Sequence, residues 1–266
     1  MPETVAIEQD GHVRTIILDR PEKKNALSDE FAWSIVNAVD DAAKDDDVWV
    51  IAITGAGDAF CAGLDLSGER DPYKAPMSPQ SAQLDDIGWV GSFSLAFRQR
   101  CEKPVVAGVN GAAVGAGLAL AMAADMRIVA RGARLMAGYT RIGGSPDGAL
   151  SWTLPQAIGY EQAMRFMLEN RTVLGDEAVS LGMAGEVVDD DKLRDRLAEY
   201  CQQLAEWSPI TTRLTKRAIG KATTHLDLET HVRFERVTVG RAFASEDAQE
   251  CRRAFFEKRK PVIQGR

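Results

Sequence analysis

Two apolar runs, each followed at once by a glycine-rich segment (residues 54–66 and 110–117), constrain this chain more than any other feature. The first run, residues 48–54, is rich in β-branched side chains, which is typical of a strand buried on both faces. The second run covers residues 105–109, and the glycine-rich segment after it leads into a predicted helix at residues 117–124. Glycines after a strand let backbone N–H groups approach a ligand closely.

A helix N-terminus adds a positive dipole end to such a segment, so two of them could direct N–H donors at one carbonyl oxygen and form an oxyanion hole. Each segment alone is equally typical of a tight turn, and spacing alone favours packing. Neither segment matches a GxxxxGK phosphate loop or a GxGxxG dinucleotide motif. The glycines therefore indicate close backbone approach and leave the ligand open.

The first part of the chain predicts a hairpin, a helix and an exposed loop. Asp10-Gly11 between two apolar runs predicts the hairpin, and Ser28 is a candidate cap for the helix that follows. Residues 67–86 are rich in Gly, Pro, Asp and Ser, so we expect a long exposed loop there.

The second part of the chain is mainly helical. Residues 127–130 still predict a strand, but helical spacing dominates from Ala149 onward. Ser208-Pro209 marks a break before the last helices. We therefore predict an α/β core over residues 1–207 and a C-terminal helical region over residues 208–266.

Composition excludes several functions. The formal net charge is −7, which disfavours nucleic acid as the main partner because phosphate binding needs clustered Lys and Arg. The longest polar-free run, residues 111–124, is shorter than the roughly 20 residues that span a bilayer, and no signal peptide is evident, so we expect no membrane partner. The four cysteines form no CxxC and the three histidines show no metal spacing. We expect a cytoplasmic protein without a metal site.

Several segments together carry a resemblance to a known family. They are Phe60-Cys-Ala-Gly-Leu-Asp-Leu66, Lys103-Pro104 with Asn110-Gly111 and Gly115-Ala-Gly117, Asn25-Ala26-Leu27, residues 175–182 and residues 254–261. In their order along the chain they resemble the enoyl-CoA hydratase/isomerase (crotonase) superfamily, and the resemblance covers essentially the whole chain. The resemblance implies an α/β fold, a crotonase-type spiral of ββα units with a C-terminal helical region used for trimerisation. It also implies an acyl-CoA substrate, a homotrimer or dimer of trimers, and no cofactor beyond the coenzyme A of the substrate.

The resemblance also implies the site residues. The oxyanion hole would be formed by the backbone N–H groups of Leu64 and Ala116. The positions that it implies for binding coenzyme A or the substrate are Lys24, Ala26, Ala62, Asp65, Leu66 and Tyr139, with Phe255 and Lys258 contributed by the C-terminal helix of a neighbouring subunit. Packing within that helix is an equally good interpretation of Phe255.

The reaction depends on which carboxylate is present. Members of the family that hydrate enoyl-CoA carry two glutamates, and the matching positions here are Ala119 and Tyr139, so a two-glutamate water addition is not expected. Asp147 lies where members similar to epoxyphenylacetyl-CoA isomerase and enoyl-CoA isomerases keep a catalytic carboxylate. Without the family context, Asp147 would be interpreted as a helix N-cap. We predict double-bond isomerisation with Asp147 as acid and base, its pKa raised by burial.

Three alternatives stay open. One is a hydratase with a different arrangement for activating water. Another is an acyl-CoA dehalogenase or hydrolase, since dehalogenases of this superfamily also carry an aspartate at this place, although their histidine is replaced here by Ala96. The last is an acyl-CoA binder without catalysis.

Overall fold

The computed structural model describes residues 5–67, 77–224 and 227–266. The strands in these residues are β1 (Val5–Asp10), β2 (Val13–Leu18), β3 (Val50–Gly55), β4 (Ala59–Cys61), β5 (Val105–Val109), β6 (Ala112–Val114), β7 (Met126–Ala130), β8 (Arg134–Met136), β9 (Thr172–Leu174) and β10 (Glu186–Val188). The helices are α1 (Asp29–Lys44), α2 (Pro79–Gln83), α3 (Gly88–Leu95), α4 (Ala116–Ala123), α5 (Leu150–Ile158), α6 (Tyr160–Glu169), α7 (Gly175–Leu181), α8 (Leu193–Ala205), α9 (Pro209–Ala222), α10 (Leu228–Ala244) and α11 (Glu246–Glu257).

The long apolar runs form the middle of a six-stranded sheet with the order β1-β2-β3-β5-β7-β10. Strands β1 and β2 are the predicted antiparallel hairpin, and the other neighbours pair in parallel. Every residue of β3 and of β5 is buried, as is typical of central strands in a parallel sheet that is covered on both faces. The predicted doubly buried strands are confirmed.

A second sheet of four short strands, β4-β6-β8-β9, lies beside the first. Three successive pairs, β3 with β4, β5 with β6, and β7 with β8, each place one strand in the large sheet and the next in the small sheet. This repeated step builds the predicted spiral of ββα units. Strands β9 and β10 lie in the part of the chain that was expected to be mainly helical, and that expectation was incomplete.

Helix α1 illustrates how sequence signals place the helices. The Ser28 side chain accepts a hydrogen bond from the Phe31 amide, so the predicted cap is confirmed. Phe31, Ile35 and Val39 are at most 1% exposed, and burying each of them contributes about 1.5–3 kcal/mol.

The region predicted as a long exposed loop is partly helical. Ser78 caps the short helix α2, and α3 begins two residues after Asp86. Residues 68–76 of the predicted loop lie outside the described residues.

Pro209 lies in the first turn of α9, at the break predicted after Ser208. The Nζ atom of Lys216 on α9 lies 2.7 Å from Oδ2 of Asp125 and donates to the carbonyl oxygens of Phe97 and Lys103. This one ammonium group ties α9 to three segments of the core.

Helix α10 is poorly covered within the chain. It has 17 residues, and among them only Thr238 is buried in the described structure. Its large exposed side chains include Val237, Val239 and Phe243. No helix in the described residues is both long and apolar enough to cross a bilayer.

Candidate active site

The two glycine-rich segments run side by side. Strands β4 and β6 pair in parallel, with Ala59 opposite Ala112, and each strand lies within one of the segments. Gly63 has φ = 91°, and a Cβ atom added there would lie 2.6 Å from the Val114 carbonyl oxygen and 3.8 Å from the Ala116 amide nitrogen. Only glycine fits this position without a shift of the backbone. Gly63 therefore allows the two glycine-rich segments to lie in contact.

The geometry leaves the two predicted oxyanion donors directed away from the surrounding backbone. Leu27 donates to the Gly63 carbonyl oxygen at 2.7 Å, and Asp65 donates to the Leu27 carbonyl oxygen at 2.9 Å. Since successive amides of an extended segment point in opposite directions, the intervening Leu64 N–H points away from Leu27. Ala116 is the first residue of α4, and its amide has no acceptor within that helix. The contact of their segments and these directions fit a shared oxyanion hole.

Two asparagines hold the loop that connects β3 to β4. The Asn25 amide donates to the carbonyl oxygens of Ala56 and Ala59 at 3.0 and 2.8 Å. Asn110 accepts from the Gly55 amide and donates to the Ala59 carbonyl oxygen at 3.2 Å. These contacts explain why the Asn25 and Asn110 motifs accompany the first glycine-rich segment.

Lys24 and Ala62, two of the positions predicted to bind coenzyme A, are in contact. The Ala62 amide donates to the Lys24 carbonyl oxygen at 3.0 Å, and Ala26 is 9% exposed. The Lys24 ammonium pairs with Asp58 at 2.6 Å, and both side chains are largely in solvent. Such a surface pair is weak enough to exchange its carboxylate for a ligand phosphate.

Asp65 and Leu66 differ in their surroundings. The Asp65 carboxylate lies 3.3 Å from Arg20 and 3.4 Å from Lys23, and hydrogen bonds from Ser67 lower its pKa to about 2. These contacts engage the carboxylate in holding its own loop. The Leu66 side chain is 65% exposed. The binding roles of both residues stay predictions.

Asp147 does not cap a helix. Helix α5 begins at Leu150, whose amide donates to the backbone oxygen of Asp147, while Gly148 and Ala149 adopt left-handed conformations with φ of 55° and 60°. The carboxylate Oδ1 instead accepts a hydrogen bond of 2.7 Å from the Tyr139 hydroxyl. The interpretation of Asp147 as an N-cap is therefore wrong.

The surroundings of Asp147 shift its pKa in the predicted direction. The residue as a whole is exposed, but its carboxyl group reaches inward to Tyr139, which is 6% exposed. Lost hydration raises the pKa of Asp147 above its ordinary value, and the hydrogen bond from Tyr139 offsets part of that rise.

Close packing brings Asp147 to the helix that begins at Ala116. A Cβ atom added at Gly148 would lie 2.7 Å from Cζ of Phe93 and 2.8 Å from Cβ of Ala119 on α4. Ser94 also donates to the Gly148 carbonyl oxygen at 2.5 Å. The loop thus rests on the same helix whose first amide is a predicted oxyanion donor.

A cavity of about 830 Å³ lies beside this loop. Its lining includes Leu95, Ala149, Trp152 and Trp207, and Ile219 contributes from the C-terminal region. The C-terminal region therefore helps to line a space beside Ala149, two residues after Asp147.

Phe255 and Lys258 stand at the end of α11. Within one chain, α11 packs on α10 and on the tail after it, and Phe255 stays 78% exposed. Lys258 ends the helix in a left-handed conformation with φ = 54°. Contact of these two side chains with a neighbouring subunit's coenzyme A stays a prediction.

Comparison with known proteins agrees with this geometry. The family model for enoyl-CoA hydratase/isomerase matches residues 8–266. The chain is 33% identical over 268 residues to 1,2-epoxyphenylacetyl-CoA isomerase of Escherichia coli, covering 100% of both proteins. It is 28% identical over 257 residues to short-chain-enoyl-CoA hydratase of Clostridium acetobutylicum, covering 96% of this chain and 95% of the relative.

Further relatives extend the range of reactions. Identity to 4-chlorobenzoyl coenzyme A dehalogenase-1 of Arthrobacter is 33% over 204 residues, or 76% of this chain and 72% of the relative. The crystal structure of enoyl-CoA hydratase from Bacillus anthracis superposes with a TM-score of 0.87 at 28% identity, covering 99% of this chain and 100% of that one.

The fold and the paired glycine-rich turns define a crotonase-type α/β protein. The chain belongs to the enoyl-CoA hydratase/isomerase family, an enzyme family that acts on acyl-CoA.

Proposed function

We propose that this protein isomerises an enoyl-CoA by moving the double bond into conjugation with the thioester. One observation carries the proposal: Asp147, with a raised pKa, rests on the helix that begins at Ala116 and is held by the Tyr139 hydroxyl. The similarity to a relative named as an isomerase supports the same reaction.

The chemistry requires one base and two oxyanion donors. Asp147 takes a proton from C2 of a 3-enoyl-CoA, and the electron pair of the broken C–H bond delocalises onto the thioester oxygen. The N–H groups of Leu64 and Ala116 stabilise that oxyanion, and one such donor is typically worth about 10²–10³ in rate. Asp147 then returns the proton to C4, which leaves the double bond between C2 and C3.

Two features disfavour the other reactions of the family. Ala119 and Tyr139 offer no carboxylate for the two-glutamate addition of water. Ala96, which stands in place of the dehalogenase histidine, is 0% exposed and has no ionisable group. A hydratase with another arrangement and a non-catalytic binder remain outcomes of the test below.

We also propose that the protein assembles as a homotrimer or a dimer of trimers in the cytoplasm. The apolar face of α10, exposed in a single chain, supports an assembly in which another subunit covers it.

Asp147→Asn tests the reaction. Asparagine keeps the shape and an oxygen that accepts from Tyr139 but cannot take a proton, so we expect the isomerisation rate to fall by about 10²–10⁴-fold with folding retained. The measurements are the absorbance of the conjugated thioester and the exchange of the C2 proton with solvent deuterium. Asp176→Asn is the matched control, because Asp176 is an exposed partner of Arg131.

An unchanged rate in Asp147→Asn, with the control also unchanged, would remove Asp147 from the mechanism. Loss of C2 exchange in Asp147→Asn, without any isomerised product in the wild type, would favour another reaction of the same enolate.

A further inference from the structure

Tyr139 is the side chain in direct contact with the proposed base. Its hydroxyl donates to Oδ1 of Asp147 at 2.7 Å, and the ring is 6% exposed. Burial and the neighbouring carboxylate raise the pKa of the phenol well above its usual range. Tyr139 therefore keeps its proton at neutral pH and acts as a hydrogen-bond donor.

The backbone of Tyr139 is anchored on both sides. It begins a short 3₁₀ turn, Tyr139–Ile142, in which the Gly144 amide donates to the Tyr139 carbonyl oxygen at 2.9 Å. On the other side, the Gly138 amide donates to Oδ1 of Asn170 at 3.0 Å, and Asn170 itself has φ = 52°. The hydroxyl is thus presented to Asp147 from a fixed position.

A donor fixed on one carboxylate oxygen makes the two oxygens different. Oδ1 uses a lone pair to accept from Tyr139, and a proton on Oδ1 would compete with that hydrogen bond. Oδ2 is the oxygen that Tyr139 does not hold. The left-handed conformations of Gly148 and Ala149 turn the backbone directly after Asp147, and this conformation is strained only at Ala149.

We propose that Tyr139 is a positioning residue that holds Oδ1 of Asp147, so that Oδ2 takes the proton from C2 and returns it to C4. The inference rests on the proposed function. In the first step the C2–H bond breaks and an Oδ2–H bond forms while the electron pair moves into the enolate. In the second step the Oδ2–H bond breaks and a C4–H bond forms, and Tyr139 keeps its own proton throughout.

Tyr139→Phe removes the donor and keeps the ring. Because the lost hydrogen bond lowers the pKa of Asp147 in the wild type, its removal raises that pKa, and the acidic limb of the kcat/KM profile shifts to higher pH. We expect kcat to fall by about 10–100-fold, a smaller loss than in Asp147→Asn, and KM to change little. Tyr160→Phe, at a position 75% exposed, is the matched control and should change none of these values.

Two further variants keep the test decisive. In the double variant with Asp147→Asn, Tyr139→Phe should add little further loss, because both residues act through one carboxylate. Asn170→Gly keeps the left-handed conformation but releases Gly138, and it should shift the acidic limb in the same direction even if Tyr139→Phe folds poorly.

The outcomes separate the two proposals. An active Asp147→Asn variant contradicts the proposed function itself. An inactive Asp147→Asn variant, together with a Tyr139→Phe variant whose acidic limb stays at the wild-type pH, contradicts only the role of Tyr139. A Tyr139→Phe variant that loses activity and thermal stability together, with the limb unmoved, would show a purely structural tyrosine.

Discussion

Gly148 is the residue through which packing positions Asp147, and replacing it with alanine should separate positioning from folding. The added Cβ would lie 2.7 Å from Phe93 and 2.8 Å from Ala119, and these two neighbours are at most 1% exposed. Since the neighbours are held by the core, the loop must move. The gap between 2.7 Å and an ordinary contact of 3.4 Å corresponds to a displacement of about 0.7 Å.

A shift of this size has a calculable effect. A misplacement of about 1 Å can cost about 10²-fold in rate, so Gly148→Ala should lower kcat by about 10–100-fold. Its stability should fall by about 1–2 kcal/mol for the left-handed alanine and by about 1–3 kcal/mol more for the overpacking. For a chain of this size each kcal/mol lowers Tm by about 2–4 °C.

Gly143→Ala is the matched control for this prediction. Gly143 lies in the same loop with φ = 68°, and a Cβ added there would meet nothing within 4 Å. It should therefore show only the backbone cost in a thermal melt, with kcat close to the wild type. If the two variants show equal kcat in the isomerisation assay, the contact of Gly148 with Phe93 and Ala119 does not position Asp147.

Two further predictions concern the C-terminal region. Lys216→Met removes the ammonium group that pairs with the partly buried Asp125 carboxylate and should lower the free energy of unfolding by about 3 kcal/mol. Lys260→Met removes an exposed pair with Glu206 and should change it by less than about 1 kcal/mol, and equal denaturation midpoints for the two variants would contradict this. Phe243→Asp, at a side chain 58% exposed in one chain, should shift the sedimentation velocity of the wild-type assembly towards the monomer, and a monomeric wild type at micromolar concentration would contradict the proposed trimer.

The long elements could be predicted from the sequence because burial leaves a pattern in them. The doubly buried strand β3 is a continuous apolar run, and helix α1 has both a cap and a helical apolar spacing. The small sheet could not be predicted, because each of its strands has only three residues and so shows no periodicity. Strand β10 is equally short and was missed for the same reason.

The site was predictable as a set of positions but not as a set of contacts. The family resemblance selected Asp147 and Tyr139 separately, and their hydrogen bond spans a 3₁₀ turn and a loop with no regular period. Local sequence favoured a cap for Asp147, because nothing in a Pro-Asp-Gly-Ala segment reveals that Ala149 is left-handed. Asp65 was selected for the substrate, whereas its ion pairs with Arg20 and Lys23 depend on how distant loops meet.

The Asn110 side chain, which holds the loop between β3 and β4, is open to chemical change during storage. Asn110 is followed by Gly111, the dipeptide in which asparagine most readily loses its amide to hydrolysis during storage. Hydrolysis gives isoaspartate, which lengthens the backbone, and aspartate, which keeps nearly the same shape but would face the Ala59 carbonyl oxygen that the amide now approaches at 3.2 Å with a carboxylate. The side chain at position 110 would then present an acceptor where the amide is now a donor. The carboxylate would repel the Ala59 carbonyl oxygen, which the amide now holds. A gain of one mass unit at Asn110 in an aged sample is therefore expected to accompany a loosened loop between β3 and β4, which mass spectrometry and a thermal melt of the same sample would check.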